Sequence, residues 1–192
     1  MEELDDRFNI FPKVDLIIED FESSGYILDI GGGGEGVIGQ LKGNDVIAID
    51  IRKEELEDAP DGFLKIVMDA RDMQFLDKTF STATAFFSMM YIRNREDQKK
   101  ILEEIWRVLK PHGVLHLWDV DLSARPENKK QFFMVHLSYK IGEDVIETGY
   151  SQRWPDEIRG QDHYINMARE VGFRPTRIER KNNTFYLKLI KN

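Results

Sequence analysis

The chain has 192 residues, 41% of them apolar, and carries a formal net charge of −8 with no cysteine. That length and apolar content suit one domain, residues 1–192, with a sizeable core and no second domain. The acidic balance, with no Lys/Arg run longer than two residues, disfavours nucleic acid as a partner. The missing thiols exclude disulfides, cysteine nucleophiles and thiolate metal sites, which suits a reducing, cytoplasmic setting.

The opening residues, MEELDDRF, are acidic and lack an apolar h-region, and no run of 18 apolar residues follows. Neither a secretory signal nor a membrane-spanning helix is expected. Residues 1–25 read as an arm and a helix. Phe8, Ile10 and Phe11 interrupt an otherwise polar arm, either packing against the domain or forming a lid over a ligand. Val14, Ile17, Ile18 and Phe21 fall at i, i+3, i+4 and i+7 behind Pro12, a spacing that predicts an amphipathic helix over 12–22.

The most pointed stretch is YILDIGGGGEGVIG, residues 26–39. A short apolar strand runs into four glycines and then into the first turn of a helix. Glycine accepts positive φ and has no Cβ, so such a run turns sharply and lets a ligand approach the main chain. Val37, Ile38 and Leu41 give that helix an apolar face until Gly43. Strands are predicted over Val46–Ile49, Phe63–Met68 and Thr82–Phe87, with a short helix from Arg52 to Asp58 closed by Pro60. Asn94 is placed to cap a helix with Glu96 and Asp97 in its first turn and Ile101, Ile105 and Leu109 facing inward; Lys110-Pro111-His112-Gly113 ends it. After a strand over Val114–Asp119, residues 120–154 form a variable, substrate-side insertion. Within it a hairpin is expected, Phe132–Ile141 and Val145–Gln152, turning at Gly142. A helix over Asp162–Val171 stops at Gly172, and two antiparallel strands flank Lys181-Asn182-Asn183. This order predicts a single-domain α/β fold, a Rossmann-like open sheet of about seven strands, mostly parallel with the last antiparallel and helices on both faces.

In such a sheet, ligands sit beyond the carboxyl ends of the central strands. Asp29, Asp50 and Asp69 mark three successive strand ends, and Asp50 follows Gly31 by nineteen residues. That is close to the ~20-residue offset at which a carboxylate binds a ribose hydroxyl pair. Asp119 and Asp121 form a D-x-D pair with no further ligand pattern, which reads as a solvated loop. His116 reads as a satisfied core residue, and His112 and His116 lack helical metal-ligand geometry, so no metal is expected.

ILDIGGGG, then AID, MDARDM, the strand end FFSMMYI and ILEEIWRVLKPHGVLHLWDV together resemble the class I S-adenosylmethionine-dependent methyltransferases. The resemblance covers about residues 26–120, with AREVGF and the final strand pair agreeing in outline. It implies a seven-stranded sheet with its last strand reversed, S-adenosylmethionine as cofactor and S-adenosylhomocysteine as product. It also implies a glycine cradle of Gly31, Gly32 and Gly33 beside Asp29, ribose binding by Asp50 next to Ile51, an adenine edge at Asp69 and Ala70, and a pocket wall at Ser88 and Met89. Glu35 stands where the family's third glycine usually falls. Either Gly36 serves with a longer turn, or Glu35 turns its side chain out.

Methyl transfer is an in-line displacement that rests on positioning and water exclusion, which leaves no dedicated catalytic base to be named. The Asn-Pro-Pro-Tyr and Asp-Pro-Pro-Tyr motifs of enzymes that methylate amide or exocyclic amino nitrogens are missing, and Ser88-Met89-Met90-Tyr91 stands in their place. A small-molecule acceptor is therefore expected against residues 88–92 and 120–154, with Tyr91, His136 and Tyr139 as polar-tipped candidates or as structural residues. Two rivals remain. Gly31, Gly33 and Gly36 also satisfy G-x-G-x-x-G, as in an NAD-dependent oxidoreductase, and a module that binds the cofactor without turnover fits the same residues.

Overall fold

A computed structural model of the chain describes residues 6–128, 130–157 and 159–192; the acidic start, residues 1–5, lies outside them. In chain order the elements are β1 (Phe8–Ile10), β2 (Val14–Asp15), β3 (Ile27–Ile30), α1 (Val37–Lys42), β4 (Val46–Asp50), α2 (Lys53–Asp58), β5 (Leu64–Val67), β6 (Phe80–Phe86), α3 (Arg95–Val108), β7 (Leu109–Val120), β8 (Phe132–Ile141), β9 (Asp144–Arg153), α4 (Gln161–Val171), β10 (Phe173–Lys181) and β11 (Thr184–Lys191).

Seven strands form the main sheet in the order β10-β11-β7-β6-β3-β4-β5. Neighbours from β5 to β7 are parallel, while β11 runs antiparallel to both β7 and β10. This is the predicted sheet. Its central strands are near-continuous apolar runs because both faces are covered. Leu28, Ala83, Leu115 and Leu117 point to a core closed by Ile101, Leu102 and Ile105 of α3 and by Tyr164, Ile165 and Met167 of α4. Ile27, Val46, Ala48 and Val120 point the other way, to Val37 and Ile38 of α1, Leu56 of α2 and the apolar side of β8.

Helix α3 has the expected start: the Asn94 side chain accepts the Asp97 N–H at 2.7 Å, a cap that contributes about 1 kcal/mol. Its end comes earlier than predicted, at Val108, because Leu109 already starts β7 by pairing with Phe80 of β6. The turn at His112, with φ 63°, lies inside that strand's irregular start. Arg107 donates to the carbonyls of Met73 and Phe75, and Glu104 accepts the Met73 N–H at 2.7 Å. The stretch that carried the family resemblance thus fastens the loop before β6. Lys191 caps the same helix end by donating to the carbonyls of Trp106 and Leu109.

The predicted helix over 12–22 does not form. The exposed edge groups of β8 capture this arm instead: β1 and β2 both pair with β8 in parallel, and Leu16 N–H donates to Ser138 C=O. With β9 they make a second, four-stranded sheet that packs on the α1 side of the main sheet. The helical spacing of apolar residues has separate causes. Val14 is buried beside Leu137 of β8, Phe21 stacks on His116, and Ile17 is 82% exposed. Phe11 packs on Phe133 and Trp154, so this part of the arm is packing and none of Phe8, Ile10 or Phe11 lines the central cavity. The hairpin of β8 and β9 is as predicted.

Candidate active site

A cavity of about 590 Å³ opens at the carboxyl ends of β3, β4, β5 and β6, a size usual for small-molecule sites. Gly31, leaving β3 at φ 67°, starts the turn. Its N–H donates to Ile49 C=O at 2.8 Å, which pins the turn to β4. A Cβ on Gly31 would lie 2.5 Å from Ser88 Cβ, and one on Gly33 would lie 2.5 Å from Glu55 Cβ. The glycines are therefore required by crowding behind the loop as well as by access in front of it.

Asp29, Gly31, Gly32, Gly33, Asp50, Ile51, Asp69, Ala70, Ser88 and Met89 all line this cavity, and so does Tyr91. Asp50 accepts the Arg52 N–H at 2.8 Å, and Asp69 accepts the Arg71 N–H at 2.9 Å while pairing with the Arg71 guanidinium at 2.7 Å. Those Arg71 bonds hold the Asp69 carboxyl below its usual range. Asp29 is fully buried, and the Thr84 hydroxyl donates to it at 2.6 Å. Burial nonetheless raises its pKa to about 7, since desolvation disfavours the charged form. The Ser88 hydroxyl is buried at the cavity wall with no hydrogen-bond partner among the described residues.

His136 and Tyr139, the other two acceptor candidates, are not brought to the cavity. Tyr139 is buried with its ring against Phe86, and His136 sits on β8 opposite Gly149. The residue from the insertion that does reach the cavity is Tyr150, whose ring stacks on Phe87 at 5.6 Å. Its signal is the alternation of β9, where Ile146, Thr148 and Tyr150 share one face, but register alone does not say which way that face looks. Glu35 explains the orientation. Its carboxylate accepts the hydroxyls of Thr148 and of Tyr150, the latter at 3.0 Å. Gly36 meanwhile adopts φ 55° ahead of α1, as a longer turn would use it, and the Glu35 side chain reaches β9 while still lining the cavity.

The D-x-D pair is not a solvated loop. Asp119 and Asp121 are both buried. Asp119 accepts the Met90 N–H at 3.0 Å, which holds the turn carrying Tyr91, and burial raises its pKa to about 7. Asp121 accepts the Ser123 N–H and pairs with Arg180. Among the described residues no group of three His, Cys, Asp or Glu is placed to hold a metal. No helix among them is long and apolar enough to cross a membrane. His116 is buried, bonded through Nδ1 to the Tyr186 hydroxyl at 2.8 Å, and desolvation lowers its pKa to about 4.

A family model described as a methyltransferase domain matches residues 28–117. A sterol 4-C-methyltransferase of Caenorhabditis elegans is 29% identical over 137 residues, 64% of this chain and 40% of that protein. A ubiquinone/menaquinone biosynthesis C-methyltransferase of Klebsiella pneumoniae is 31% identical over 111 residues, 55% of this chain and 43% of that protein. The chain thus spans less than half the length of these curated relatives. Among solved structures, a SAM-dependent methyltransferase of Methanosarcina mazei superposes with TM-score 0.64 at 18% identity, covering 89% of this chain and 94% of that one.

Proposed function

We propose that this chain, a member of the class I S-adenosylmethionine-dependent methyltransferase family, binds S-adenosylmethionine along its glycine turn and transfers the methyl group to a small-molecule acceptor. The observation that carries the reading is a single cavity that Gly31–Gly34, Asp50, Asp69 and Ser88 all line. These residues fit the cofactor. The bare turn admits its methionine part, with Ser88 and Met89 lining the cavity beside it. Asp50 supplies a charged acceptor for two ribose hydroxyls, and Asp69 with Ala70 edges the adenine.

When bound, the sulfonium supplies an electrophilic methyl carbon. The protein's part is then to hold the acceptor in line with that carbon and keep water out, an arrangement that supplies about 7–11 kcal/mol of the barrier. Tyr91, Phe87 and Tyr150 form the wall on that side. A small-molecule acceptor is supported by the size of the cavity and by the sterol and quinone names of the relatives. Titration calorimetry with S-adenosylmethionine, S-adenosylhomocysteine and NADH tests the first half: tight binding of the first two is expected, and binding of NADH alone would overturn it. Formation of S-adenosylhomocysteine across oxygen, nitrogen, sulfur and carbon acceptors tests the second; none above background would leave a binding module.

A further inference from the structure

Resting on that reading, we propose that the acceptor is an aliphatic amine, seated with its nitrogen facing Glu35 between the rings of Tyr91 and Tyr150.

Three features support this. First, the cavity lining includes four aromatic rings together with the Glu35 carboxylate. In the sheet β4 and β5 lie to one side of β3 and β6 to the other; Phe86 ends β6, Phe87 and Tyr91 follow it, and Tyr150 bonds directly to Glu35. Phe86 and Phe87 pack edge to face at 5.0 Å, and Phe87 and Tyr150 stack at 5.6 Å. Aromatic rings beside a carboxylate stabilise the positive charge that develops on the nitrogen during transfer. Tyr91 and Tyr150 both have their phenol pKa raised, chiefly by burial and then by the Glu35 charge, so both rings lie within its field.

Second, the cavity carries six carboxyl groups, five of them besides Asp29, whose burial keeps it partly protonated, against three guanidiniums. Two of the guanidiniums are already neutralised within the lining: Arg52 pairs with Glu55 at 2.8 Å, and Arg71 pairs with Asp69 at 2.7 Å and Asp97 at 3.1 Å. The cofactor brings one net positive charge. Negative charge is left over, and it favours a basic acceptor over an acidic one.

Third, an aliphatic amine is nucleophilic as its free base and needs no Asn-Pro-Pro-Tyr type motif, which matches Ser88-Met89-Met90-Tyr91 at the end of β6. The amine sheds its proton to water before it is enclosed. Its lone pair then forms the N–C bond as the C–S bond breaks, and sulfur keeps that bonding pair. The positive charge passes from sulfur to nitrogen, where Glu35 and the two phenol rings face it. The ammonium product returns a proton to water after release, and no other reactant is needed.

The test uses choline, which mimics the ammonium product, and its neutral isostere 3,3-dimethylbutan-1-ol, each titrated into the protein saturated with S-adenosylhomocysteine and followed by NMR of the tyrosine rings. Choline should bind at least tenfold more tightly than the isostere. Glu35→Gln, which keeps an oxygen for one of the two hydroxyls and turns an amide NH2 toward the other, should remove that preference while leaving S-adenosylhomocysteine affinity within threefold. Tyr91→Leu, at a position 43% exposed, should weaken choline several-fold with an unchanged melting temperature. Equal binding of the two probes, or a preference that survives Glu35→Gln, overturns the amine assignment and leaves the cofactor site standing. Failure of S-adenosylhomocysteine to bind at all overturns the reading beneath it.

Discussion

The Tyr150 hydroxyl donates to the Glu35 carboxylate at 3.0 Å, tying β9 to the glycine turn 115 residues earlier. Thr148 donates to the same carboxylate. Hydrogen bonds to a charged group contribute about 1.5–3 kcal/mol each where water is partly excluded. Glu35→Ala should therefore loosen the hairpin locally. Amide exchange over residues 144–153 should speed up tenfold or more, while β3 and β6 at the centre of the sheet keep their protection. Unchanged exchange in that segment would show that the second sheet is held by its apolar face alone.

Gly31 has two separate reasons to be glycine: its φ of 67°, and the 2.5 Å that would separate an added Cβ from Ser88 Cβ. Gly31→Ala should cost about 1–3 kcal/mol of stability from the backbone strain, measured by urea denaturation. It should also lower S-adenosylmethionine affinity by at least tenfold, because Ser88 and the turn must separate. Gly62→Ala is the control. Gly62 also has positive φ, 109°, but a Cβ there meets nothing within 4 Å and lies outside the cavity lining. It should lose stability and keep its cofactor affinity.

The same contrast explains what is legible in the sequence. The main sheet follows from runs such as Val46–Asp50 and Phe80–Phe86, whose apolar character reports burial on both faces and depends on local composition. Its glycine turn and the carboxylates Asp50 and Asp69 follow from strand ends, which are also local. The arm defeats such a reading because Val14, Ile17, Ile18 and Phe21 match a helical period by coincidence. What captures Val14 is its pairing with Leu137, a contact more than a hundred residues away that no periodicity encodes. Tyr150 escapes for the same kind of reason. Its place in the cavity depends on Glu35, and a departure from a glycine pattern shows only that something differs there, with no indication of the partner.

Among the described residues the Asp50 carboxylate has one hydrogen bond, from the Arg52 N–H at 2.8 Å, and Asp50 lines the cavity. Asp50→Asn keeps an acceptor for that bond but removes the charge. Charge-assisted bonds to the ribose hydroxyls are about twice as strong as neutral ones. S-adenosylmethionine affinity should fall about 10- to 100-fold, the equivalent of about 1.4–2.8 kcal/mol, with the melting temperature of the ligand-free protein unchanged. Calorimetry and thermal unfolding on the same preparation check both halves, and an unchanged affinity would remove Asp50 from the ribose site.

Asp29 makes stability depend on pH in an unusual direction. Its folded pKa, about 7, lies above the ordinary carboxyl value of 3.8 because burial penalises the charge. The folded state therefore binds more protons than the unfolded one between these values, and stability falls as pH rises through that window, reaching its floor above about 7. Asp119, raised to about 7 by the same cause, adds to this fall. His116 opposes it: its pKa, lowered to about 4, makes stability drop as pH falls from about 6.5. A wild-type profile mixes all three, so the difference from Asp29→Asn is the informative quantity. Asparagine still accepts from Thr84 and does not titrate. Between pH 5 and pH 8 the wild-type protein should lose about 2–3 kcal/mol more than the variant, measured by urea denaturation at each pH. Parallel profiles would mean that Asp29 is ionised throughout and that the Thr84 hydroxyl, at 2.6 Å, offsets its burial.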